Sequence, residues 1–215
     1  MPKIKAPKIK AILFDMDGVL IEAKDWHYEA LNQALSLFGM EISRYDHQVT
    51  YDGLPTKKKL EMLSQERGLP RALHNFLNDI KQELTFQIGY TKCKPLFNHQ
   101  YALSHLRASG YKMAACSNSV RRTMTTLFER AALTDYFEFY ISNEDVKKAK
   151  PDPEMYLTAI HRLGLKPEEC LILEDNENGI KAAKASGAHL MIIHEVNDVT
   201  LDNITRCIST IEERV

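Results

Sequence analysis

The sequence predicts an α/β fold, a Rossmann-like parallel sheet with helices on both faces, and three observations carry that expectation. Short apolar runs recur at residues 9–14, 113–116, 139–141, 170–173 and 190–193 of the 215-residue chain. Each is followed by a polar or glycine-containing turn and then by apolar residues at helical spacing, the alternation that builds parallel strands joined by crossover helices. One stretch breaks the alternation: residues 23–92 hold several helical patterns and no strand-like run. The expected division is therefore a core of residues 1–22 and 93–215 and an all-α subdomain of residues 23–92 inserted after the first strand.

Taken in order, the first strand-like run stops at Asp15, and Tyr28, Leu31, Leu35 and Phe38 then follow helical spacing. Further helical patterns cover residues 57–67 and 73–86. After the insert, Leu103 with Leu106 and Leu157 with Ile160 mark helices between strands, and Ala182, Ala183 and Gly187 mark a small-residue helix before the last one. With 28 Lys plus Arg against 29 Asp plus Glu the net charge is -1, so no broad basic field draws the chain to nucleic acid or an anionic membrane. The basic amino terminus at Lys3, Lys5, Lys8 and Lys10 is followed by an apolar run too short for a signal peptide, and no stretch has the ~20 apolar residues of a spanning helix. A cytoplasmic protein, monomeric or a weak homo-oligomer, is expected. Cys93, Cys116, Cys170 and Cys207 have no CxxC pair and read as reduced, mostly buried residues.

Chemistry concentrates at the strand ends. Asp15-Met16-Asp17-Gly18 closes the first strand, where open parallel sheets bind ligands and where two carboxylates are costly without a cation or a reaction to need them. Taken alone, that motif fits a turn as well as a site. Three later strand ends carry matching groups: Ser117, Asn118 and Ser119, then Lys150 before Pro151, then Glu174-Asp175 ahead of a helix through Gly179. Hydroxyl and amide donors, a cation and four carboxylates would share one crevice.

In that order, D-M-D-G-V-L, S-N-S, K-P-D-P and E-D-N-E-N-G-I-K-A-A-K-A-S-G resemble the four motifs of the haloacid dehalogenase superfamily, and the insert resembles the helical cap of its phosphoglucomutase-like phosphatase branch. The resemblance implies a mobile cap, Mg2+ dependence and an aspartyl-phosphate intermediate. Asp15 would be the nucleophile on phosphorus and Asp17 the general acid and base, its backbone carbonyl facing the metal. Asp15, Asp17, Glu174 and Asp175 would then supply hard oxygens suited to Mg2+, and Ser117, the backbone amide of Asn118 and Lys150 would hold the phosphoryl group. In the cap, His27 lies where the branch carries a histidine, and Tyr51 through Lys58, with Gly53 and Pro55 fixing its shape, resemble its substrate-selecting loop. Thr56 is expected to cap a helix, and Lys57 or Lys58 to meet a second anionic group. Glu22-Ala23 departs from the branch, where Asp then Ser or Thr is usual.

These expectations favour a Mg2+-dependent phosphatase of a small phosphorylated metabolite, a sugar or polyol phosphate. The alternatives are a hexose phosphomutase and a phosphometabolite-binding protein without turnover.

Overall fold

The computed structural model describes residues 9–213; Lys3, Lys5 and Lys8 lie outside the described residues. Five parallel strands form one sheet: β1 (Ala11–Phe14), β2 (Lys112–Cys116), β3 (Phe139–Ile141), β4 (Cys170–Glu174) and β5 (His189–Ile192), in the order β3-β2-β1-β4-β5. Alternation along β1 sorts its side chains between two cores. Ile12 and Phe14 join Met113, Ala115, Leu171 and Leu173 on one face, while Ala11 and Leu13 join Ala114, Cys116, Cys170 and Ile172 on the other. A strand buried on both faces must be apolar throughout, which is why the strand signal was a continuous run.

Helices α1 (Lys24–Ser36), α2 (Arg44–Asp46), α3 (Thr56–Arg67) and α4 (His74–Lys92) follow β1 before the chain returns to the sheet. Between α2 and α3, His47–Tyr51 forms a single π-type turn. These segments have an apolar cluster of their own, including Leu31, Leu35, Tyr51, Leu60, Leu63 and Leu77. Burying each such leucine contributes about 1.5–3 kcal/mol, enough to hold short helices that would not persist alone. The first helix begins four residues earlier than Tyr28 and ends at Ser36, so Phe38 falls past its end and is 40% exposed rather than core.

The remaining helices cover the sheet: α5 (Phe97–Ala108) and α6 (Arg121–Arg130) flank β2, α7 (Glu154–Arg162) precedes β4, α8 (Glu177–Ser186) precedes β5, and α9 (Leu201–Glu213) follows it. No described helix is long and apolar enough to cross a membrane. The strand order reverses beside β1: the chain steps outward to β2 and β3, then crosses back to place β4 on the other side of β1. Such a reversal opens a crevice at the carboxyl ends of the strands. All four motif segments end there.

Candidate active site

Asp15 leaves β1 with its backbone still paired, its N–H donating to Leu173 O at 3.0 Å, so the carboxylate stands at the lip of the sheet. Lys150, reaching in from the loop after β3, donates from Nζ to Asp15 Oδ1 at 2.6 Å, to Glu174 Oε1 at 2.6 Å and to Cys116 O at 2.7 Å. One buried ammonium thus ties the ends of β1, β2 and β4. Burial opposes its charge, but Asp15 and Glu174 more than compensate and hold its pKa well above the ordinary lysine value. Burial and the neighbouring Glu174 push Asp15 well above the usual carboxylate range, and Lys150 offsets this only in part. Glu174 is held further by Tyr156, whose hydroxyl donates to Oε1 at 2.5 Å.

Asp17 belongs to a separate network. Gly18, at φ +89°, turns the chain sharply after it. Asp17 Oδ2 accepts from Ser119 Oγ at 2.9 Å and from Ser117 Oγ at 3.3 Å, and Oδ1 lies 3.1 Å from His27 Nε2. His27 Nδ1 in turn lies 3.0 Å from Lys81 Nζ. An ammonium can only donate, so Nδ1 accepts and the ring hydrogen sits on Nε2, directed at Asp17. Burial would raise the pKa of Asp17, yet His27 and Ser119 outweigh it and bring the value below the ordinary one. His27 itself is lowered, by burial first and then by Lys81, which keeps the imidazole neutral.

Asp15, Glu174 and Asp175 offer carboxylate oxygens that lie within 4.8 Å of one another. The Asp175 carboxylate is buried without a hydrogen bond among the described residues; its charge is met by Lys24 at the start of α1. A cluster of hard oxygens, one of them otherwise unsatisfied, fits a divalent cation such as Mg2+ far better than a soft metal. Asp175 does not cap α8. Asn176 does, its Oδ1 accepting from Asn178 N at 2.9 Å.

The same asparagine reaches the inserted helices. Asn176 Nδ2 donates to Asp52 Oδ2 at 3.0 Å, and Asn118 Nδ2 donates to Gly53 O at 3.0 Å. Asn118 also binds the backbone of Lys150, through Oδ1 to its N–H at 3.0 Å. Its side chain therefore joins three segments rather than standing free for a ligand. Gly53 (φ +68°) lies against Asn176, where a Cβ would come within 2.2 Å of Oδ1.

A cavity of about 500 Å³ lies between the insert and the strand ends and is lined by Asp15, Asp17, His27, Gly53, Ser117 and Lys150 among others. The lysines of α3 part company around it. Lys57 lines it, Lys58 is exposed and does not line it, and Lys59, not singled out from sequence, is buried against it. Thr56 lines the cavity but makes no cap; Pro55 precedes the helix and Thr56 is its first residue. Lys81 was missed as well, although Leu77, Lys81, Thr85 and Gly89 recur every four residues along the buried face of α4.

A phosphorylated carbohydrates phosphatase from Thermotoga maritima is 28% identical over 192 residues, covering 88% of each chain. A phosphoglycolate phosphatase from Aquifex aeolicus is 28% identical over 179 residues, covering 83% of this chain and 82% of that one. Among solved structures, a beta-phosphoglucomutase from Clostridium difficile has the same fold with a TM-score of 0.80 at 18% identity, covering 94% of this chain and 98% of that one. CbbY from Rhodobacter sphaeroides in complex with phosphate reaches 0.78 at 21% identity, covering 86% and 85%. The family model of the haloacid dehalogenase-like hydrolases matches residues 12–193, from within β1 to just beyond β5, and the chain belongs to that family.

Proposed function

We propose that this hydrolase is a phosphatase of a small phosphorylated metabolite, a sugar or polyol phosphate, acting through an aspartyl-phosphate. The observation that carries the reading is the separation of two carboxylates only two residues apart: Asp15 shares a buried ammonium with Glu174, while Asp17 sits in a hydrogen-bond network with His27 and two serines. Neighbouring carboxylates whose environments push their pKa values apart suit different roles. The relatives named for phosphorylated carbohydrates and phosphoglycolate support a phosphate ester as substrate.

In the first half-reaction a carboxylate oxygen of Asp15 bonds to phosphorus, the ester P–O bond breaks, and the leaving oxygen takes a proton from Asp17. The phosphate dianion brings like charge close to Asp17 and so raises its proton affinity, and Asp17 takes up the proton it later donates from solvent as the substrate seats. In the second half-reaction water attacks phosphorus, the bond to Asp15 breaks, and Asp17 recovers a proton from that water. His27 keeps Asp17 oriented throughout, and Lys150 holds Asp15 in line and adds positive charge. Residues 23–92 act as the cap that excludes bulk water from the cavity. Asp15, Glu174 and Asp175 would hold Mg2+, with the Asp17 carbonyl, and the ion supplies charge that keeps Asp15 ionised against the incoming phosphate.

A screen of sugar, polyol, nucleotide and phosphonate compounds with Mg2+, reading inorganic phosphate, tests this directly. Stoichiometric phosphate, lost on chelation and restored by Mg2+, is expected. Asp15→Asn should lower turnover by at least about 10⁴-fold with the fold intact. Bisphosphate-dependent conversion of a hexose 1-phosphate to the 6-phosphate with negligible free phosphate would replace hydrolysis by internal transfer.

A further inference from the structure

One ion pair ties the inserted helices to the carboxylate cluster. Lys24, the first residue of α1, sets its ammonium against Asp175 Oδ2. Nothing local asks for a lysine there: a cation in the first turn of a helix opposes the helix dipole, and Ala23 before it offers no side-chain cap. Gly18 makes room for the contact, since a Cβ at that position would come within 2.5 Å of Lys24 Cε and closer still to Asp175 Oδ2. Among the described residues Lys24 is the ion-pair partner of Asp175, whose side chain is 1% exposed.

The two ammonium groups at the cluster are held differently. The Lys150 side chain is 3% exposed and donates to three acceptors, Asp15, Glu174 and Cys116 O. The Lys24 side chain is 34% exposed, has this one ion-pair partner among the described residues, and also feels the charge of Asp52 and Glu22. A divalent cation that takes Asp175 as a ligand meets a like charge already on that carboxylate, with little water to screen the repulsion. The ammonium with one partner and an open path to solvent is the one that yields.

We infer that Lys24 is an exchangeable counter-ion, which neutralises Asp175 until a divalent cation displaces it, and that the exchange breaks an ion pair between the insert and the core. This rests on the reading of Asp175 as a ligand of Mg2+ and adds a competitor for that ligand. Released from Asp175, Lys24 turns toward Asp52, so that binding of the cation moves one charge contact from the boundary into the insert. The affinity of the site for the cation is then lower than its three carboxylates alone would give, and by linkage whatever draws Lys24 away raises it.

Calorimetric titration of Mg2+ into the parent, Lys24→Met and Lys24→Gln, with no substrate present, tests the exchange. Both variants should bind Mg2+ about 10-fold more tightly than the parent. In chelator they should melt about 2–4 °C lower, because Asp175 is left buried without its counter-charge, and saturating Mg2+ should close most of that gap. On an Asp175→Asn background, Lys24→Met should leave the melting temperature in chelator nearly unchanged. A lysine that only packs α1 against the core would instead lower the melting temperature with and without Mg2+ and bring no gain in affinity. Mg2+ binding in both variants that is equal to or weaker than in the parent overturns the role of Lys24 and leaves the metal site standing. Failure of the parent and of both variants to bind Mg2+ overturns the metal site itself, and the exchange with it.

Discussion

At the residue scale, the site depends on how closely Gly179 lets α8 approach Glu174. A Cβ at Gly179 would stand 1.9 Å from Glu174 Oε1, and that carboxylate cannot swing aside without leaving Lys150 and Tyr156. On helix propensity alone Gly179→Ala would stabilise α8 by about 0.5–1 kcal/mol. We expect the reverse: lower stability and a loss of turnover of about 10²-fold or more, measured by thermal melts and steady-state kinetics. A stabilised, fully active variant would refute the geometry. Lys150→Met leaves Asp15 and Glu174 buried with their shared cation gone. A loss of about 3–5 kcal/mol is expected, read from urea denaturation in chelator. An unchanged midpoint would mean that the three groups do not share charge as drawn.

At the scale of elements, the lysines show where reading the sequence stops. The helical patterns were legible because Leu60 with Leu63, and Leu77 with Ile80 and Leu84, repeat at helical spacing. Lys59 and Lys81 lie on those same faces, but a lysine is assigned to solvent by habit, since its chain can carry the charge outward. Nothing local distinguishes Lys58, which points out, from Lys59, which points in; only the packing of α3 against its neighbours fixes the rotation. Thr56 illustrates a related limit, because Pro55 takes the position before the helix and leaves the hydroxyl no capping role.

The π-type turn carries its own pH dependence. His47 is 4% exposed, both ring nitrogens lack hydrogen-bond partners among the described residues, and burial, then Lys59, lowers its pKa to about 4 from the ordinary 6.5. The unfolded chain therefore binds a proton near pH 6.5 that the folded protein refuses until about pH 4. Stability should be insensitive to this group above pH 6.5 and fall as pH drops from there toward 4. Replacing His47 with Phe should flatten the wild-type slope of denaturation midpoint against pH within that window; parallel slopes would contradict the assignment.

For the whole molecule, the sheet was legible and the assembly of the site less so. Strands buried on both faces have to be written as apolar runs, so all five were visible, with ends displaced by one or two residues where β1 begins at Ala11 and β5 ends at Ile192. The gathering of Asp15, Ser117, Lys150 and Glu174 followed from strand order, because parallel strands put all their carboxyl ends on one edge. Lys24 and Asn176 were not legible, since each acts across the boundary between segments distant in sequence. Three clustered carboxylates should also make global stability depend on a divalent cation. Mg2+ at a hundred times its Kd should add about 2.7 kcal/mol, seen as a higher melting temperature that an equal ionic strength of K+ does not reproduce. Asp175→Asn should weaken that response, and an equal response in the variant would remove Asp175 from the ligand set.

Asn118 and Asn176, each holding one residue of the Asp52–Gly53 loop, also set a clock. Two hydrogen bonds at a net of about 1 kcal/mol each would contribute roughly thirtyfold in favour of the latched arrangement over an unlatched minor population. Such a population would let product leave between turnovers while the site stays closed for most of the cycle. Asn176→Ala should raise it about fivefold. Where release of product limits the rate, kcat would then rise while kcat/KM falls, and a pre-steady-state burst present in the parent would shrink. The asparagine that begins α8 would in this way govern how long each catalytic cycle lasts.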